Sequence, residues 1–252
     1  MTAGAPLLEI RGLEVVFDGF RAIDCVDLTV HEGELRFLIG PNGAGKTTLI
    51  DVVTGLTKPA RGSVRFAGKE LVGMREHHIV RCGVGRTFQT ATVFEELTVA
   101  ENLDLAANFR APWRSWFRVR RGVPEAVRAV LGITHLAALA EAPAGALSHG
   151  QRQWLEIGML VAQQPRLLLL DEPVAGMSAE ERELTGALLV ELAQRHTVVV
   201  IEHDMAFLRR FARSVTVLHE GRVLVEGSVE QVQADPRVHE VYLGRTRTEA
   251  AS

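Results

Sequence analysis

The chain has 252 residues, of which 47% are hydrophobic, and this composition is typical of a globular domain. Its formal net charge of −3 argues against binding to nucleic acid through bulk positive charge. Two cysteines cannot build a disulfide framework, and no apolar run approaches the ~18 residues of a membrane span.

The hydrophobic pattern predicts an α/β core. The predicted strands, in chain order, are 7–17, 23–31, 34–39, 62–66, 83–88, 166–171, 197–202, 214–218 and 222–226. The predicted helices are 45–56 and 179–195, and the stretch from 99 to 162 is largely helical with breaks near Pro112, Pro124 and Pro143. Strands that alternate with helices favour a largely parallel sheet. The last two strands flank a hairpin turn at Glu220 and Gly221, and the polar tail at 245–252 is expected to be frayed.

A glycine-rich loop follows the strand at 34–39 and matches the pattern G-x-x-x-x-G-K-[ST]. Its glycines let backbone N–H groups turn toward phosphate oxygens, and the next helix adds its positive end. Lys46 is expected to reach the β- and γ-phosphates, and the Thr47 hydroxyl is expected to bind Mg²⁺. The residues predicted to bind nucleotide here are Gly40, Pro41, Asn42, Gly43, Ala44, Gly45, Lys46, Thr47 and Thr48. The chain is therefore predicted to bind a nucleoside triphosphate.

An acidic pair ends the leucine run at 167–170. A run of this kind suits a strand buried on both faces of a parallel sheet, whose end would lie beside the phosphate loop. Asp171 is expected to hold Mg²⁺, and Glu172 is expected to polarise the water that attacks the γ-phosphate. The alternative is a strand end with two solvated acids.

The segment Leu-Ser-His-Gly-Gln at 147–151 precedes a helix. Ser148 is a plausible N-cap, and the free N–H groups of a helix start suit a phosphate. As a capping motif alone it would carry little weight, because many helices begin with serine.

In this order and spacing, the three motifs resemble those of the ATP-binding subunits of ABC transporters, over nearly the whole chain. The resemblance implies one ABC ATPase domain at 1–252, an ATPase coupled to transmembrane transport. Its fold would be a P-loop NTPase core with a largely parallel sheet, an N-terminal antiparallel strand layer and an inserted helical subdomain at about 90–163. Two positions depart from the family pattern. His149 replaces the first glycine of the signature, usually Leu-Ser-Gly-Gly-Gln, and Ser178 stands where an aspartate usually ends the loop after Glu172.

The resemblance also implies roles for single residues. Gln89 resembles the family glutamine that contacts Mg²⁺ or water, and His203 looks like the histidine that contacts the γ-phosphate. Phe17 resembles the aromatic residue that stacks on adenine, with Phe20 as the fallback. Without the resemblance, the alternatives are a surface glutamine for Gln89, a core or capping histidine for His203 and a core phenylalanine for Phe17. The predicted catalytic residues are Glu172, His203 and Gln89; the predicted metal contacts are Thr47, Gln89 and Asp171; the signature residues expected to face a partner's ATP are Ser148, His149, Gly150 and Gln151.

The partners and location follow from the same resemblance. It implies ATP and Mg²⁺, a second ATPase cassette (a homodimer or a sister subunit), two membrane permease subunits and a solute-binding protein, with no nucleic acid. The protein would lie peripherally on the cytoplasmic face of the inner membrane, and the first ten residues lack the pattern of a secretory signal.

The cargo is suggested only by connecting segments. Segments 86–99 and 147–159 resemble the urea transporter branch, whereas 172–180 and 242–244 resemble branched-chain amino acid importers. We therefore expect uptake of urea or a short amide. The alternatives are a branched-chain amino acid importer ATPase and a soluble non-transport ABC ATPase, although the single phosphate loop argues against the latter. Arginines mixed with aromatics at 110–121 favour an exposed connector over a contact with lipid headgroups or a permease.

Overall fold

Two β-sheets form the frame of the computed structural model, which describes residues 5–87, 93–109 and 123–241. The strands are β1 Pro6–Phe17, β2 Phe20–His31, β3 Leu35–Ile39, β4 Arg61–Phe66, β5 Lys69–Glu70, β6 Val84–Arg86, β7 Leu167–Asp171, β8 Thr197–Ile201, β9 Ser214–His219 and β10 Arg222–Gly227. The helices are α1 Lys46–Thr54, α2 Glu76–Cys82, α3 Val99–Ala107, α4 Glu125–Ile133, α5 His149–Ala162, α6 Ala179–Leu192, α7 Met205–Phe211 and α8 Val229–Ala234.

The smaller sheet is antiparallel, in the order β2-β1-β4-β5, and confirms the predicted N-terminal strand layer. Side chains of β1 alternate between core and surface, as expected for a sheet with one buried face. A two-residue turn joins β1 to β2: Asp18 and Gly19 both have positive φ, and Phe17 pairs with Phe20. This is the turn geometry that suits a tight hairpin, and it places both phenylalanines at the hairpin tip.

The larger sheet has the order β10-β9-β3-β8-β7-β6. Strands β3, β6, β7, β8 and β9 are parallel, and β10 is antiparallel to β9. Because β3, β7 and β8 are buried at every position, their apolar runs fit a sheet covered on both faces. Their carboxyl ends meet at one edge, so the chain after β3, after β7 and after β8 emerges at the same place.

Two apolar clusters hold the layers together. One joins β3, β7 and β8 to α3, α4, α5 and α6, and the other lies between the antiparallel sheet, α1 and the opposite face of the larger sheet. Within the described ranges, none of the helices has both the length and the apolar character needed to cross a bilayer.

The predicted α/β class is confirmed, while several short elements were not predicted. Strand β5 and helices α2, α7 and α8 are short, and none of them had been expected. The helix predicted at 45–56 ends at Thr54, where Gly55 adopts a left-handed conformation that glycine tolerates at a helix end. The helix predicted at 179–195 ends at Leu192, and the tail at 245–252 lies outside the described residues.

Candidate functional site

The phosphate loop turns tightly between β3 and α1. Gly40 has φ 151°, and a Cβ there would lie 2.1 Å from the carbonyl oxygen of Leu218, so only glycine fits. Gly45 is the N-cap of α1 with φ 100°, and no side chain caps the helix. The Lys46 ammonium donates to the carbonyl oxygens of Gly40 and Pro41 at 2.7 Å and 3.0 Å. The loop therefore encloses a cation, and its helix start presents N–H groups to an anion.

A cleft of about 350 Å³ opens above this loop and receives residues from both sheets. Its lining consists of Phe17, Phe20, Ala22, Asn42, Gly43, Ala44, Gly45, Lys46, Thr47, Thr48, Glu172 and Ile201. The structure thus brings the predicted phosphate-binding residues 42–48, one predicted catalytic acid and both candidate aromatics to one cavity, whereas Gly40, Pro41, Asp171 and His203 are not part of its lining.

Phe17 and Phe20 are surface residues. They are 47% and 67% exposed, and both line the cleft from the hairpin tip. The core alternative for Phe17 is therefore wrong. Because both rings border the same cavity, either one has access to a base placed there.

The Asp171 carboxylate lies at the end of β7 and is only 2% exposed. Its Oδ2 atom accepts no hydrogen bond, and the Arg86 guanidinium lies 3.6 Å from it. Burial raises the pKa of the Asp171 carboxyl, although Arg86 opposes that rise. Arg86 also pairs with Asp51 of α1. A buried carboxylate oxygen without a donor suits a hard cation, so the residues present fit the predicted Mg²⁺ role.

Protein ligands alone would not complete such a metal site. Among the described residues, no group of three or more His, Cys, Asp or Glu side chains could hold a metal ion. Mg²⁺ commonly takes one or two protein ligands and obtains the others from water and substrate phosphates.

Glu172 and His203 meet at the edge where β7 and β8 end. The His203 Nδ1 atom lies 3.3 Å from the Glu172 Oε1 atom, and the His203 side chain is exposed while the Glu172 side chain is partly exposed. Glu172 has φ 49°, a conformation that is uncommon outside glycine, and its N–H donates to the Ile201 carbonyl at 3.0 Å. His203 is thus neither a core nor a capping histidine, and it stands beside the predicted catalytic acid.

Two supporting residues were not found from the sequence. Glu202 is buried beside His203 and accepts backbone N–H bonds from Val174 at 3.4 Å and His203 at 3.1 Å. Burial raises the pKa of the Glu202 carboxyl. The other is Arg86, whose signal in the sequence is a charged residue inside the predicted strand at 83–88.

The signature residues form the start of α5. Ser148 is the N-cap, and it exchanges hydrogen bonds with Gln151 in a capping box. The His149 Nε2 atom lies 3.1 Å from the Ala175 carbonyl oxygen, and the Ser148 hydroxyl donates to Glu181 at 3.4 Å. Within the part of the chain that the structure describes, no residue of 148–151 lines the nucleotide cleft. Gln89 and the segment 110–121 lie outside the described residues.

Comparisons with known proteins agree with this geometry. The family model described as "ABC transporter" matches residues 23–175, and a model described as "Branched-chain amino acid ATP-binding cassette transporter" matches residues 222–247. The chain is 38% identical over 250 residues to the high-affinity branched-chain amino acid transport ATP-binding protein BraF of Pseudomonas aeruginosa, with 95% of this chain and 98% of BraF covered. It is 36% identical to LivG of Escherichia coli K12, with the same coverage.

Solved structures show the same similarity. The ADP conformation of MJ1267, an ATP-binding cassette of an ABC transporter, superposes with a TM-score of 0.82 at 32% identity and covers 95% of this chain and 99% of that one. A dimeric post-hydrolysis structure of the cassette MJ0796, bound to ADP and Pi, has a TM-score of 0.75 at 25% identity and covers 88% of this chain and 99% of that one.

Proposed function

This chain belongs to the ATP-binding subunits of ABC transporters, and from that premise we propose that its ATPase activity powers the uptake of branched-chain amino acids. The proposal is supported by the relatives BraF and LivG and by the match of residues 222–247 to a model of branched-chain amino acid cassettes. The expected urea cargo gains no support from these relatives. The roles of the single site residues are part of the same proposal.

The triphosphate would bind at the start of α1. The Lys46 ammonium, now 2.7 Å from the Gly40 carbonyl oxygen, would exchange that contact for the β- and γ-phosphates. The uncapped N–H groups of α1 would donate to phosphate oxygens. Thr47, Asp171 and Gln89 are the proposed contacts of Mg²⁺. When bound, Mg²⁺ would neutralise part of the charge on the phosphates.

Hydrolysis would depend mainly on positioning, because phosphoryl transfer needs little covalent chemistry from the protein. The Glu172 carboxylate borders the cleft from the end of β7 and would orient the attacking water and accept its proton. His203 would contact the γ-phosphate from the end of β8. The 3.3 Å separation between the His203 and Glu172 side chains is the observation that best supports one shared site.

The signature residues would act on a second nucleotide. Ser148, His149, Gly150 and Gln151 lie away from the cleft of their own chain, so we propose that they contact ATP bound by a second cassette. The dimeric MJ0796 structure supports the pairing of two cassettes. Two permease subunits and a solute-binding protein would complete the transporter, and the protein would lie peripherally on the cytoplasmic face of the membrane.

The cargo is tested by transport in cells. Deleting the gene for this chain should abolish leucine uptake at low external leucine and leave urea uptake unchanged. Wild-type protein should restore uptake, whereas the matched variant Lys46→Ala should not, because it loses the ammonium that faces the phosphates. Loss of urea uptake with leucine uptake intact would contradict the proposal.

A further inference from the structure

His149, the first residue of α5, contacts the loop that follows Glu172. Its ring Nε2 lies 3.1 Å from the Ala175 carbonyl oxygen. Because a carbonyl only accepts hydrogen bonds, Nε2 carries the proton in this contact. The ring also covers the next peptide, since a Cβ on Gly176 would lie 3.4 Å from the ring atoms Cδ2 and Nε2. The side chain therefore both bonds to and packs on the backbone of this loop.

Ala175 connects this contact to the proposed catalytic acid. The Ala175 N–H donates to the Glu172 carbonyl oxygen at 3.1 Å, while the Ala175 carbonyl accepts from His149. Glu172 has a positive φ, which a residue with a side chain keeps only when its surroundings hold it there. Ala175 thus links His149 to the Glu172 backbone, because its carbonyl accepts from His149 and its N–H donates to Glu172.

A second contact fixes the start of α5 against the same part of the chain. The Ser148 hydroxyl donates to the Glu181 carboxylate at 3.4 Å, and Glu181 in turn caps the start of α6 through Ser178. Gly150 allows this approach, because a Cβ there would lie 2.4 Å from the Glu181 carboxylate. The helix start is therefore held to the loop at Ala175 and to the first turn of α6 at Glu181, and the Ser148–Glu181 contact is made without the His149 side chain.

We propose that His149 is a positioning residue that holds the loop at 173–178, and through Ala175 the backbone of Glu172, from the start of α5. The role in turnover rests on the proposed function, in which the start of α5 contacts ATP on a second cassette. ATP at that contact would then be linked to the orientation of Glu172 in the other site. A glycine at this position, as in the usual signature, has no side chain with which to make the link.

Three substitutions at His149 distinguish the effect of its hydrogen bond to Ala175 from the effect of the size of its ring. His149→Leu keeps an apolar side chain of similar reach and removes the donor. His149→Gln places an amide N–H where the ring Nε2–H lies, and His149→Gly gives the usual family residue. His239 is an exposed histidine near the C-terminal end of the described residues. His239→Leu is therefore the matched control for loss of a surface histidine.

Hydrogen exchange of the full chain without nucleotide tests the contact itself. The amides of Ala175 and Met177 are bonded within the loop, so their exchange reports its opening. We expect exchange about three- to tenfold faster in His149→Leu and His149→Gly, as for loss of one hydrogen bond. His149→Gln and His239→Leu should exchange as the wild type does. Equal exchange in His149→Leu and the wild type would overturn the proposal.

Steady-state ATP hydrolysis then tests the link to Glu172. The kcat of His149→Leu should fall several-fold below that of His149→Gln. The Kd for ATP of the two variants should be similar at protein concentrations where the chain is monomeric, because position 149 does not line the cleft of its own chain. Faster exchange with equal kcat in these two variants would show a loop contact that does not position Glu172 and would also overturn the proposal. If the wild type hydrolyses no ATP, the proposed function fails, whereas the exchange result still decides whether His149 holds the loop.

Discussion

Replacing Glu172 with glutamine tests the proposed catalytic acid most directly. The change keeps the shape of the side chain and a carbonyl oxygen within reach of His203, now 3.3 Å away, so the pair keeps its geometry and loses one negative charge. The side chain is partly exposed, and we expect little effect on folding.

The expected magnitude follows from the role of the carboxylate. A positioned acid–base group contributes about 10²-fold or more to a rate, so turnover should fall at least that far. This corresponds to a barrier higher by about 2.7 kcal/mol. ATP affinity should remain within about twofold, because Lys46 and the start of α1 are unchanged.

The assay is phosphate release at saturating MgATP, together with equilibrium binding of ATP. Glu191→Gln, an exposed glutamate near the end of α6, controls for loss of a surface charge. Bound ATP that is not hydrolysed should also make a cassette dimer accumulate on size-exclusion chromatography. Asp171→Asn should differ by losing Mg²⁺-dependent ATP binding as well as turnover. Hydrolysis by Glu172→Gln at the wild-type rate would refute the role, and His203 would be the first residue to test instead.

Two further predictions concern other parts of the molecule. Phe17→Ala should raise the ATP Kd by about 5- to 150-fold, the equivalent of 1–3 kcal/mol of base stacking, in a binding titration; a loss seen only in Phe20→Ala would assign the role to Phe20. Burial alone would raise the pKa of Glu34, but hydrogen bonds from Ser214 and the His31 N–H, together with Arg36, hold it below its usual 4.5. Glu34 therefore stabilises the fold above that pH and loses its contribution as the pH falls through its lowered pKa. Urea unfolding measures the free energy of unfolding at pH 7 and pH 3, and its decrease between the two should be smaller for Glu34→Gln than for the wild type. Equal decreases would contradict the stabilising role of Glu34.

The motifs that could be predicted are those encoded within a few neighbouring residues. The phosphate loop depends on glycines and a lysine at fixed spacing, and the acidic pair follows an unbroken leucine run, so both sites and their strands were predicted. Helix α2 was missed because only Ile79 of its residues is buried, which leaves no apolar period to detect. Helix α7 does carry a local signal, since Asp204 caps it directly after His203.

The contacts that were missed join residues distant in the chain. Arg86 meets Asp171, and His149 meets Ala175, only because the sheet order and the packing of α5 bring them together. No spacing rule in a single sequence reports such pairs. The sequence shows that His149 replaces the usual signature glycine, but it does not show that this histidine contacts Ala175.

The hairpin that carries Phe17 and Phe20 has a consequence for which nucleotides the cleft accepts. Away from the phosphate loop, the described lining consists of these two rings with Ala22, Ile201 and Glu172. Of these side chains only the Glu172 carboxylate can form a hydrogen bond, and the proposed mechanism assigns it to the attacking water. A ring face attracts every base, because each base has its own π surface. Guanine and adenine would therefore be distinguished weakly by this part of the cleft.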